Sequence, residues 1–178
     1  MKKILLFAFF LSYVFSATKS EIFNDYKNEK YLQVCKNGIE IIKQEKEDEV
    51  FINTVAYSCL KSDMIDMLAL PAVLLKKTPS SRLNASYYST ILFQKKLLYQ
   101  ALVDGMDISL VRTPKTDYVL SRVFDAFVEN KYEKTDKSFI FSSDNNRYEL
   151  RVIDSSAIAK IEIKEYKDGV HIKTYIYY

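Results

Sequence analysis

The chain has 178 residues, a formal charge of +3 and a pI near 8.6. Its 26 basic and 23 acidic residues are interspersed, so it carries no electrostatic footprint for nucleic acid. One histidine and 2 cysteines cannot form a four-ligand zinc site without carboxylates, and 3 glycines with 3 prolines leave no long linker; no metal and no cofactor is expected.

The N-terminus reads as an address. Lys2 and Lys3 precede an apolar run from Ile4 to Phe15, and small residues Ser16 and Ala17 give way to polar TKSE. That is the plan of a cleavable secretory signal peptide over residues 1–16, and the run is shorter than the roughly 20 apolar residues that span a bilayer. The sequence shows no second candidate span, so export to the periplasm with no transmembrane segment after cleavage is the expectation. The remaining chain suffices for one compact domain or two small modules.

Residues 17–131 follow a helical period. Helices are expected at about 21–43, 47–61, 63–77, 79–103 and 115–131, with Pro71 kinking the third and residues 105–116 as a connector. Thr78-Pro79 and Thr113-Pro114 both read as helix starts, because threonine caps free amides and proline suits the first helical position. Shifted by 34 residues, YLQVCKNGIEIIK (31–43) falls on IDMLALPAVLLKK (65–77), and NTVAYSCL (53–60) falls on YYSTILFQ (87–94). Small residues meet small ones and large apolar residues meet large ones: Cys35 falls on Ala69, Gly38 on Ala72, Val34 on Leu68. With that period, Tyr31, Gly38 and Ala56 give the segment a resemblance to the tetratricopeptide family of helical hairpins. The resemblance implies antiparallel α-hairpins and a docking surface for protein segments. Bulky residues at usual alanine and glycine positions, and Pro71 itself, depart from that family.

Export favours a disulfide between the two cysteines. A hairpin turning near Glu45 would place residue 55 opposite Cys35, with Cys59 a turn beyond, about 6 Å along the axis. The bond therefore requires shifted or splayed helices, and two buried free thiols fit as well. Either way the pair is a staple or a spacer, because a nucleophilic cysteine needs a base and His171 lies far away in sequence.

After Asn130 the period changes to two. FIFSS (139–143), RYELRVI (147–153), AIAKIEIKEY (157–166) and VHIKTYIYY (170–178) read as four strands of an antiparallel β-meander over residues 132–178, and Asp168-Gly169 is a tight-turn signal. Ile161 and Ile163 are expected on a dry face covered by the helices, with Val170, Ile172, Thr174 and Ile176 sharing a face of the last strand. Lys160, Lys164 and Lys173 interleaved with Glu149, Glu162 and Glu165 suggest cross-strand charge pairing. The fold class is α+β.

No GxSxG, P-loop, HExxH or CxxC motif is present, so a non-catalytic protein that binds an envelope protein partner is the leading expectation. Candidate partner-binding residues are Tyr87, Tyr88, Phe93, Lys95 and Tyr99 on the fourth helix, and Tyr175, Tyr177 and Tyr178 on the last strand. In composition and leader the chain resembles small periplasmic proteins of Gram-negative bacteria, among them accessory scaffolds of envelope assemblies such as flagellar motors. The second expectation is a carrier or chaperone holding a small apolar ligand or peptide between helices and sheet.

Overall fold

The computed structural model describes residues 17–143, 145–153 and 158–178. The expected leader, 1–16, lies outside those residues, as do Asp144 and residues 154–157, which include the separator expected at 154–156. Among the described residues six helices come first: α1 (Lys19–Lys27), α2 (Tyr31–Gln44), α3 (Glu49–Lys61), α4 (Ala69–Leu74), α5 (Pro79–Val103) and α6 (Val119–Val128). An antiparallel sheet follows, in the order β1 (Glu133–Lys134), β2 (Phe139–Ser143), β3 (Asn146–Ile153), β4 (Lys160–Lys167) and β5 (Val170–Tyr177). The chain is thus α+β, with the helices first and the meander last.

The single helix expected at 21–43 is two. Thr18 and Glu21 form a reciprocal capping box at the start of α1, and α1 ends where Glu29 takes φ +56°, with Lys30 N–H donating to Asp25 O at 3.0 Å. Phe23 then packs edge-on against Phe51, and Tyr26 against Tyr31 and Tyr57, so aromatic contacts hold α1 back on the next hairpin. The third expected helix is also broken. Ile65–Leu68 is a 3₁₀ turn and α4 lasts only to Leu74, with buried Pro71 as its third residue. Thr78 caps α5 through the Ser81 amide (3.1 Å), with Pro79 at the first position as expected. Thr113-Pro114, by contrast, starts nothing: α6 begins at Val119, and Thr113 Oγ1 instead accepts a bond from Gln94 Nε2 at 2.7 Å.

The sheet has five strands rather than four. The extra strand is two charged residues, Glu133 and Lys134, paired with Ile140 and Phe139, too short to leave an alternating pattern. Asp168 and Gly169 take φ +50° and +80° between paired Lys167 and Val170, a two-residue hairpin in which both residues are left-handed.

The face of β5 is the opposite of the expected one. Tyr175 and Tyr177 point inward opposite Ile163 and Ile161, while Val170, Ile172 and Ile176 are exposed. A period of two defines two faces without saying which is dry, and a bulge between Glu165 and Tyr166 shifts the register at the turn end. Burial of the tyrosines is affordable because each hydroxyl finds a partner inside. Helices α5 and α6 cover this inner face: the Tyr99 hydroxyl donates to Ala159 O at 2.8 Å, and Phe127 meets Phe139 edge-on at 5.2 Å. On the outer face Glu162 takes Arg151 (2.5 Å) across the strands and Lys164 at 3.8 Å. Lys173 and Glu165 turn inward, away from the charge ladder expected there.

Candidate functional site

In the α2–α3 hairpin, α2 runs to Gln44 and α3 starts at Glu49, so the midpoint lies between Glu45 and Asp48. That offset moves the facing residue by almost a turn. Cys35 and Cys59 come to a Cα–Cα distance of 4.7 Å and are disulfide-bonded, both fully buried. The hairpin is then braced at its turn. Asp48 caps α3 through the Phe51 amide (3.1 Å) and pairs with Lys19 (3.3 Å). Glu49 Oε1 accepts the amides of Lys76 (2.5 Å) and Lys77 (2.7 Å), tying α3 to the start of α5. Desolvation acts to raise the Glu49 carboxyl, but those amides outweigh it and hold it at about 2.

Because Ile65–Leu68 is a tight turn rather than a continuing helix, it leaves a groove of about 380 Å³ between itself, α4 and α2. Ile39, Met67 and Leu70 line its apolar part; Met67 is 38% exposed. Lys36, Glu40 and Lys43 stand on the α2 side at helical spacing. Lys43 pairs with Glu40 at 2.7 Å, while Lys36 has no ion pair among the described residues. Asp66, at the other rim, is held by Lys95 and by Lys96 (3.0 Å). The rim therefore carries two lysines and two carboxylates around an apolar floor, and Lys36 is the lysine left without an ion pair among the described residues.

Beside it a polar seam joins helices to sheet. Asp63, left-handed at φ +59°, accepts the Tyr118 hydroxyl at 2.7 Å and Lys173 Nζ at 2.5 Å. Tyr177 reaches the Tyr118 oxygen at 3.3 Å, and the Tyr175 hydroxyl donates to Glu165 at 2.7 Å. Burial, with nearby Tyr177 and Asp63, pushes the Tyr118 phenol far up; burial does the same for Tyr177 and Tyr175. These phenols are structural hydrogen-bond donors, held neutral.

The residues expected to bind a partner divide accordingly. Tyr88, Lys95, Tyr175 and Tyr177 are buried, so they are not a solvent-facing surface. Lys95 sits in the stripe Tyr88, Ile91, Lys95, Leu98, which turns inward at helical spacing, and its ammonium lies 5.3 Å over the Tyr178 ring. Tyr88 donates to Asn53 at 3.1 Å, and burial lifts its phenol to about 12. Tyr87 is bound to Asp117 at 2.7 Å and Tyr99 to the sheet. Only Phe93 and Tyr178 stand more than half exposed, on different elements. The groove-lining residues Ile39, Met67 and Leu70 were not singled out by sequence. Their signal was the break at Pro71, which shortens the third helix and brings its start against α2.

His171 is exposed on β5, its Nε2 2.9 Å from Thr174 Oγ1 and its ring 5.5 Å from Tyr166. Among the described residues there is no group of three or more His, Cys, Asp or Glu placed to hold a metal, and no helix long and apolar enough to cross a membrane. No protein-family model matches the chain, and neither a curated protein nor a solved structure matches it.

Proposed function

We propose that the protein is an exported, non-catalytic binding protein that works in the bacterial periplasm by contact with another protein, as an accessory component of an envelope assembly. The observation that carries this reading is the α2–α4 groove, where Ile39, Met67 and Leu70 form an apolar strip beneath a rim carrying Lys36, which has no ion pair among the described residues. Such a groove suits an amphipathic segment that lays apolar residues on the strip and an acidic residue beside Lys36. Its walls belong to the stretch 31–94, whose two halves match in pattern as tetratricopeptide-like units do, and that supports a hairpin-based docking mode. The leader-like residues 1–16 and the buried disulfide support an oxidising compartment. A carrier enclosing an apolar ligand is not the reading proposed, because Phe124, Leu150, Ile161 and Ile163 are packed into the core between helices and sheet, and the opening between α6 and the β2–β3 pair is a mostly polar cleft.

A photocrosslinking residue at Met67, expressed in the native envelope, tests the reading. One discrete adduct is expected there, absent from the same residue at Leu110, which is 90% exposed in the α5–α6 connector. Leu70→Asp and Lys36→Glu should each abolish it while leaving the circular dichroism spectrum unchanged. Equal labelling at Met67 and Leu110 would overturn the groove as the interface.

A further inference from the structure

A second cleft, separate from the α2–α4 groove, opens between α6 and the β2–β3 pair. It encloses about 500 Å³ and is walled by Arg122, Asp125 and Ala126 from α6, with Phe141 and Tyr148 from the sheet. That volume falls in the range of small-molecule sites, and its lining is mostly polar, with Glu129, Lys131, Ser142 and Asn146 beside Arg122 and Asp125. Its ions are unevenly matched. Glu129, also on the rim, is paired with Lys131 at 2.7 Å and Lys115 at 3.5 Å. Arg122 and Asp125 are one helical turn apart on the same face and do not pair with each other. The Arg122 guanidinium instead crosses to the sheet, where Nη1 donates to the buried Tyr148 hydroxyl at 3.3 Å, and among the described residues no carboxylate pairs with it. The Asp125 side chain is half-buried and makes no hydrogen bond or ion pair among those residues. Burial raises its carboxyl, with Lys115 acting from a distance in the other direction.

An exposed guanidinium with donors left over and a half-buried carboxylate with no donor among the described residues, held a turn apart beside Ala126 and Phe141, suit a ligand carrying both charges. We infer that this cleft binds a free apolar α-amino acid as the zwitterion. The ligand carboxylate takes the open Arg122 donors, its ammonium donates to Asp125, and its side chain lies on Ala126 and the edge of Phe141. Arg122 suits the carboxylate because its planar fork presents parallel N–H groups, and Tyr148 fixes the plane of that fork. An α-amino acid carries its two charges on one carbon, so a single ligand spans the gap between side chains three residues apart. A monofunctional acid or amine leaves one of the two protein ions unanswered in the cleft.

The test titrates the full mature chain with L-leucine, 4-methylpentanoate and 3-methylbutylamine, following amide shifts by NMR. Leucine should move Ala126 and Tyr148 saturably. Each analogue lacking one charge should bind about tenfold or more weakly, as should leucine to Arg122→Gln or Asp125→Asn. Asp125→Asn is isosteric and keeps the cleft's shape; should Arg122→Gln fail to fold, the two analogues decide alone. No leucine-dependent shift at Ala126 or Tyr148 up to about 10 mM would overturn the inference. So would 4-methylpentanoate binding as tightly as leucine, since the cleft would then be a plain anion site without use for Asp125.

Discussion

Gly38 and Val55 meet where α2 crosses α3: a β-carbon built on Gly38 would stand 2.4 Å from Val55 Cγ2 and 3.0 Å from Cγ1. Val55 is fully buried, and its branched side chain is stiff about χ1, so it cannot swing aside. Alanine is the better helix former by about 1 kcal/mol, but overpacking a filled core costs about 1–3 kcal/mol, and here the clash wins. Gly38→Ala is therefore expected to lower stability in urea unfolding. Adding Val55→Ala makes room for the new methyl, so the double variant should lose less than the sum of the two single ones. A Gly38→Ala protein as stable as the parent would mean that the helices do not approach this closely.

The same crossing explains the cysteines. Cys35 and Cys59 are 24 residues apart in sequence and completely buried. Closing a loop of that size stabilises a fold by about 3 kcal/mol, chiefly by restricting the unfolded chain. Replacing both by alanine should reduce stability by about that amount while leaving the helical signal at low denaturant. Thiol titration of the unfolded, unreduced protein should find no reactive thiol, and a reductant should expose both. Free thiols before reduction would remove the staple.

How much of this was legible in the chain depends on where local chemistry decides the outcome. Thr78-Pro79 and Asp168-Gly169 announce a helix start and a hairpin turn because a hydroxyl cap and a pair of left-handed residues are local requirements. The disulfide register was harder. A midpoint at Glu45 and one between Glu45 and Asp48 differ by under two residues, yet the residue opposite Cys35 changes by twice that shift. The break after Asn28 carries almost no local signal, since no glycine or proline marks it and Glu29 itself adopts φ +56°, although Thr18-Lys19-Ser20-Glu21 spells the capping box of α1. Which face of β5 turns inward rests on hydroxyl partners from other elements, Tyr118 and Glu165, that pattern does not reveal. The groove was not legible, because it exists only where Met67 and Leu70 come against α2. Nor was the cleft, whose walls come from α6 and two strands.

Glu49 makes the link between α3 and the residues before α5 sensitive to acid. Its folded carboxyl is held at about 2 against an ordinary 4.5. A depressed folded value means that the stabilisation is present above the unfolded value and is lost as pH falls from about 4.5 towards 2. Glu49→Gln keeps the shape but accepts the Lys76 and Lys77 amides with a neutral oxygen. The parent should be the more stable protein at pH 7, and the difference should shrink through this window and vanish near its lower end. Parallel thermal melts of both proteins at pH 7, 4 and 2.5 measure it. A pH-independent difference would mean that the carboxylate charge plays no part.

Lys95 and Asp66 form an unequal pair: the lysine side chain is 1% exposed and the aspartate 39%. Desolvation lowers the Lys95 ammonium, and the bond to Asp66 partly restores it. Asp66 also serves Lys96, so its loss leaves two cations facing each other with one of them buried. Asp66→Asn should therefore destabilise the fold, by about 1–3 kcal/mol given the partial exposure of the pair. Lys95→Met removes the buried charge instead, fills the same space in the Tyr88, Ile91, Leu98 stripe, and leaves Asp66 its second partner in Lys96. That variant should be as stable as the parent or more so. Urea unfolding of both variants reads the asymmetry directly. Equal losses would show that the pair acts as an ordinary surface contact, whereas the burial of Lys95 predicts opposite signs.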